Sequence, residues 1–272
     1  MTLEYGGVTD PGKVRTNNED HILVDGKNGI FIVADGMGGH NSGEVASKMA
    51  CDIISKNLEA AMARKAQADR TQIVFGDNDP ALSVVANHAV SSIRLANQVI
   101  YEASLSYSQN KGMGTTLVLT LYHNNSYIIG WVGDSRAYLA RHNRLQQLTN
   151  DHSVVQEQID KGFITPQQAE KSEYKNVLTK ALGTDASIKP DVVETPAFPG
   201  DYVLLCTDGL TKMLSDAQIL ETLTGGGGPQ EIAAKLAARA NSAGGRDNVS
   251  AVVLHVKGNT VWDKLVDSIR KL

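Results

Sequence analysis

Residues 115–141 read Thr-Thr-Leu-Val-Leu-Thr-Leu-Tyr-His-Asn-Asn-Ser-Tyr-Ile-Ile-Gly-Trp-Val-Gly-Asp-Ser-Arg-Ala-Tyr-Leu-Ala-Arg. Three apolar runs, 115–122, 126–132 and 136–141, are separated by His123-Asn124-Asn125 and by Gly133-Asp134-Ser135. Parallel strands need a crossover of a dozen or more residues, so links this short imply antiparallel hairpins. Upstream, 20–25 and 29–34 form a second expected strand pair, joined by a Gly-Lys-Asn-Gly turn at 26–29. Downstream, 203–206 and 249–256 are two more apolar strands.

The helices lie apart from these strands. Ala46, Met49, Ala50, Ile53, Ile54 and Leu58 recur at helical spacing over 42–63, with Asn41 or Ser42 as cap and Glu44 in the first turn. Leu82 to Ile100 marks a second long helix, after a polar loop over 64–80. Residues 150–182 are polar and helical, broken at Gly162 and Pro166, with Asp151 or Ser153 as a helix cap. Gly225–Gly228 reads as a flexible joint before an alanine-rich helix at about 230–240, and 261–272 as an amphipathic terminal helix. Clustered strands and separately paired helices predict an α+β fold, two packed, mostly antiparallel sheets flanked by helices.

The 272 residues include 42% apolar side chains, enough for a sizeable core, and carry a net charge of −4 with both signs interspersed. That balance argues against a general nucleic-acid binder. Cys51 and Cys206 are too few and too far apart for a disulfide framework, and read as small buried hydrophobes in a reducing compartment. No signal peptide and no run long enough for a membrane span is found, so a cytoplasmic setting is expected.

Carboxylates recur where apolar strands meet glycine or another small turn residue. Asp35, Asp134 and Asp208 leave strands, Asp247 precedes one, and Glu19 and Asp20 stand near the start. One Asp-Gly is an ordinary turn. Several, gathered at one sheet edge, would repel each other unless cations neutralised them. Oxygen-only ligands favour Mg²⁺ or Mn²⁺. Two such ions sharing a bridging carboxylate activate a water for in-line attack on phosphorus. Arg15 supplies a bidentate fork for phosphate, and His40 a candidate acid for the leaving oxygen.

Arg15-Thr-Asn-Asn-Glu-Asp20, Asp35-Gly-Met-Gly-Gly-His40, Gly114-Thr-Thr116, Gly133-Asp-Ser-Arg136, Asp208-Gly209 and Gly245-Arg-Asp-Asn248 occur in this order over most of the chain. In this the chain resembles the metal-dependent PPM, or type 2C, serine/threonine protein phosphatases, and Met-Gly-Gly-His resembles their bacterial branch. The resemblance implies one domain spanning 1–272. It implies that Asp35 bridges two Mn²⁺ or Mg²⁺ ions, that the Gly36 carbonyl binds one, and that Asp208 and Asp247 hold the other. Glu19 and Asp20 complete the shell, Asp134 matches a ligand of a third, weaker ion, and Arg15 matches the phosphate-binding arginine. His40, or a water on the metal, is the implied acid. Residues 148–183 resemble a flap beside the site, in which Ser172-Glu173 and Lys175 replace the His-Pro and Arg of many relatives. Implied partners are phosphorylated proteins and a Ser/Thr kinase, with a monomer as the default. A catalytically silent scaffold of the same fold would have lost a metal acid, and a two-metal nuclease would share the acids but not the ordered motifs.

Overall fold

The structure, a computed structural model, describes residues 1–39, 42–65, 75–106 and 108–258. The chain opens with β1 (Thr2–Asp10), β2 (Asp20–Asp25) and β3 (Ile30–Met37), followed by long helices α1 (Ser42–Lys65) and α2 (Val84–Ser106). Then come β4 (Gly114–Thr115), β5 (Leu117–His123), β6 (Ser126–Val132), β7 (Arg136–Arg141) and β8 (Arg144–Gln147). Short helices α3 (Val154–Asp160) and α4 (Pro166–Ala169) precede β9 (Asp191–Pro196) and β10 (Tyr202–Cys206). The described chain ends with α5 (Asp208–Thr211), α6 (Asp216–Thr224), α7 (Pro229–Ser242) and β11 (Val249–Lys257).

One sheet has the order β1-β11-β10-β7-β8, the other β2-β3-β5-β6-β9 with β4 added beside β3. Every strand pair is antiparallel. Alternation along the strands builds the layers. Ile30, Ile32 and Ala34 of β3 face α1 and α2, packing with Ala46, Ala50, Ile54, Ala89 and Ile93. Phe31 and Val33 point the other way, into an apolar layer between the sheets with Trp131, Leu139, Leu205 and Leu254. Leu204, Cys206, Ala251 and Val253 face α5–α7 through Leu210, Ile219, Ile232 and Leu236. The result is the expected helix–sheet–sheet–helix sandwich.

Three details differ from the sequence expectation. First, β6 pairs with β5 but not with β7, which lies in the opposite sheet between β10 and β8. Gly133, at φ 102°, turns the chain from one sheet to the other, so 133–135 is a crossover and not a hairpin. Second, β3 runs on through Asp35 to Met37, which pairs with Gly114 of β4. Third, β1, β8, β9, α5 and α6 were not foreseen. β1 and β9 are edge strands with half-exposed side chains, and β1 carries Gly6-Gly7. Their pattern is therefore weak, and it is pairing with β11 and β6 that makes them strands.

Smaller expectations resolve similarly. Ser42 is already helical and its hydroxyl donates to the Gly39 carbonyl (2.7 Å), so it does not cap α1, while Asn41 lies outside the described residues. α1 extends to Lys65, into the expected loop. Ser153 caps α3 by accepting from the Gln156 N–H. The glycine joint is a tight turn, with Gly225 closing α6 and Gly228-Pro229 opening α7. Both cysteines are buried and free. No helix among the described residues is long and apolar enough to cross a membrane. The expected terminal helix at 260–272 lies outside the described residues.

Candidate active site

The site lies where the two sheets meet, and its parts arrive from five stretches of chain. Asp20 opens β2 directly opposite Asp35 of β3. Two acids facing each other across a ladder repel, yet both are held in place. The Asp35 N–H donates to Thr116 Oγ1 (3.1 Å), and its carbonyl accepts from the Thr116 N–H (2.8 Å). Asp20 Oδ2 accepts from the Thr207 and Ser250 hydroxyls at 2.9 and 2.7 Å. Gly36 is required by its surroundings, since a Cβ there would lie 2.0 Å from the Gly43 carbonyl oxygen at the start of α1.

The 11–19 segment is pinned by Asn248. Its Oδ1 accepts from the Glu19 N–H (2.8 Å), and its Nδ2 donates to the carbonyls of Pro11 and Asn17. Asp208 is the first residue of α5, and Asp247 immediately precedes Asn248. Arg15 grips Asp247 with two bonds, Nε to Oδ1 at 2.9 Å and Nη2 to Oδ2 at 3.1 Å. Lys212 Nζ pairs with Asp208 Oδ2.

Arg15, Glu19, Asp35, Gly36, Asp134, Asp208 and Asp247 line one cavity of about 520 Å³. Asp20 lies beneath it, 5% exposed. Every expected site residue that the structure describes is thus gathered in or under one cavity, while His40 lies outside the described residues. Sequence reasoning missed Lys212, and Thr207 and Ser250, which position Asp20; it named Thr116 and Asn248 as motif members without a role, and they position Asp35 and Glu19. Lys212 was open to detection, because Asp208 and Lys212 stand four apart at a strand-to-helix turn.

The carboxyl groups burden one another. Burial, and then Asp20, Asp208 and Asp134, hold the Asp35 carboxyl well above the usual carboxylate range. Burial pushes Asp20 up to about 7, against the bonds from Ser250 and Thr207. Burial, and then Asp208, push Asp134 up to about 7. Burial likewise raises Glu19, with Arg15 opposing it. Asp20 Oδ1 and Asp208 Oδ1 are buried acceptors without a hydrogen-bond partner. Buried oxygens left orphaned among mutually repelling acids fit hard divalent cations. Among the described residues no three such side chains converge as a finished metal cage; Lys212 and Arg15 take up oxygens of Asp208 and Asp247 instead.

The segment expected as a flap borders the cavity. Asn176 and Leu178 reach its lining, and residues 152–154 are bonded to 177–179. His152 fastens the flap base to the β6–β7 crossover. Its Nδ1 accepts from the Gly133 N–H (3.1 Å), which leaves the proton on Nε2 to donate to Asp191 (2.8 Å). Arg136 fixes the same base through a bidentate pair with Asp151, Nη2 to Oδ2 at 2.7 Å. Lys175 lines an adjoining groove together with Arg246 and Pro166.

Two helix-covered antiparallel sheets, with a cleft of oxygen donors and an arginine where they meet, define a metal-dependent phosphatase. The family model described as "Protein phosphatase 2C" matches residues 13–238. The serine/threonine phosphatase Stp of Listeria innocua is 35% identical over 249 residues, covering 90% of this chain and 93% of that protein. The crystal structure of the Mycobacterium tuberculosis serine/threonine phosphatase PstP/Ppp superposes with a TM-score of 0.81 at 32% identity, covering 95% of this chain and 100% of that one. A structure of the PstP catalytic domain in complex with two manganese ions matches at 33% identity and a TM-score of 0.75, covering 94% of this chain and 99% of that one. The chain belongs to the protein phosphatase 2C family.

Proposed function

We propose that this protein removes phosphate from phosphoserine and phosphothreonine side chains of proteins, and so opposes a Ser/Thr kinase in the cytoplasm. The reading is carried by the convergence of Asp35, Asp134, Asp208, Asp247 and Arg15 on one cavity from separated stretches of chain. We read 1–272 as a single phosphatase domain acting as a monomer.

Asp35, Gly36, Asp208 and Asp247 would hold two Mn²⁺ or Mg²⁺ ions, with Glu19 and Asp20 behind them. Bound divalent ions supply Lewis-acid polarisation of the phosphoryl oxygens and lower the pKa of a shared water. The chain does the rest. Asp35, its backbone fixed by Thr116, would be shared by the two ions. Arg15 stands at the rim, where its fork can leave Asp247 for two phosphoryl oxygens. Water adds to phosphorus and gives up a proton to solvent, the P–O bond to the Ser or Thr oxygen breaks, and that oxygen takes a proton from His40 or from a water at the metals. Residues 148–183 would shape the approach, with Lys175 lining the adjoining groove. Two ions belong to this proposal; the third, expected at Asp134, is taken up below.

Phosphate release from a phosphothreonine peptide, with Mn²⁺ and then with a chelator, tests the proposal. The expected result is Mn²⁺-dependent release that falls by about 100-fold or more in Asp35→Asn. Release that survives the chelator, or that Asp35→Asn leaves intact, would refute the metal assignment.

A further inference from the structure

Lys212 has no part in the reaction as described above, yet it stands inside the acid cluster. Helix α5 puts it there. Asp208 begins this single turn and Lys212 ends it, with the Lys212 N–H donating to the Asp208 carbonyl at 2.8 Å. Four residues apart, their side chains share a face, and the ammonium group rests on Asp208 Oδ2. The turn cannot easily swing away. Leu210 is fully buried beneath it, and a Cβ at Gly209 would lie 1.9 Å from the Asn248 carbonyl oxygen.

Asp134 faces the same space, since Asp134, Asp208 and Lys212 together line both the catalytic cavity and the adjoining groove. Of the other cations there, Arg136 is engaged with Asp151 and Arg15 with Asp247, while Arg246 and Lys175 line the adjoining groove. A divalent ion shared by Asp134 and Asp208 would have to settle against a fixed positive charge already bonded to one of its ligands.

We infer that the Lys212 ammonium is the resident counter-ion of Asp208 and Asp134, and that it keeps a third divalent ion from the position between these carboxylates. Asp208 keeps its buried Oδ1 for one of the two principal ions and gives Oδ2 to Lys212. The inference rests on the two-ion reading of the centre. Lys212 is thereby a positioning residue that sets how many metals the site takes.

Mn²⁺ titration by calorimetry, with free Mn²⁺ followed by electron paramagnetic resonance, tests it. The unsubstituted protein should bind two Mn²⁺, as should Lys212→Arg, which keeps the charge. Lys212→Met keeps the stem and removes the charge, and should gain a third, weaker Mn²⁺ that Asp134→Ala added to it removes. Three Mn²⁺ in the unsubstituted protein, or two in Lys212→Met, would overturn the inference while leaving the two-ion centre standing. No Mn²⁺ in the unsubstituted protein would overturn both.

Discussion

Asn248 makes three hydrogen bonds from one buried amide, to the Glu19 N–H and to the carbonyls of Pro11 and Asn17. None of these contacts involves phosphate or metal, yet together they hold the segment that presents Arg15 and Glu19. Asn248→Ala should cost about 2–4 kcal/mol in urea denaturation, because it leaves buried partners unsatisfied. Arg15 poses the opposite case, an exposed side chain that contributes little to stability. Arg15→Lys keeps the charge and loses the fork, so kcat/KM on a phosphopeptide should drop about tenfold with stability unchanged. An unaltered kcat/KM would reduce Arg15 to a surface partner of Asp247.

The β6–β7 crossover and the flap are a single mechanical unit. Trp131 stacks on His152, with ring centroids 6.2 Å apart, and its Nε1 donates to the Asn150 carbonyl. Gly133 both donates its N–H to His152 Nδ1 and accepts from the His152 N–H. His152→Phe keeps a ring against Trp131 but strands the Gly133 N–H and leaves Asp191 with Lys180 alone. Limited proteolysis should then cut within 154–176 several-fold faster, and equal cleavage rates would dissociate His152 from flap anchoring. The crossover was the hardest element to read in advance. A three-residue link fits a hairpin as well as a change of sheet, and only the packing of Trp131 and Leu139 into one inter-sheet layer separates the two.

At the scale of the molecule, the acid cluster sets a pH dependence. Asp20 and Asp134 rise from the usual 3.8 to about 7 in the folded chain. A carboxyl group with a higher pKa folded than unfolded favours the fold while protonated, and that contribution is lost as pH rises from about 4 towards 7. The metal-free protein should therefore melt at a lower temperature near pH 8 than near pH 5. Mn²⁺ should stabilise it most at the higher pH, where the carboxylates are charged. Scanning calorimetry with and without Mn²⁺ checks this, and a flat metal-free melting temperature across the range would contradict it.

The sequence by itself determined the layers and pointed to the acids of the candidate site. Ile30, Phe31 and Ile32 already imply a strand buried on both sides, and Asp35, Asp134, Asp208 and Asp247 announce themselves by leaving or entering strands beside small turn residues. Both signals are local, carried by alternation and by turn composition. The tertiary structure alone decided what no local pattern encodes. It turned β7 into the second sheet, made strands of the weakly patterned edges β1 and β9, and recruited Asn248 across more than two hundred residues to hold Glu19. It also set Lys212 among the carboxylates. Such placements follow from long-range pairing and close packing, which depend on the partner a segment meets and not on the segment's own residues.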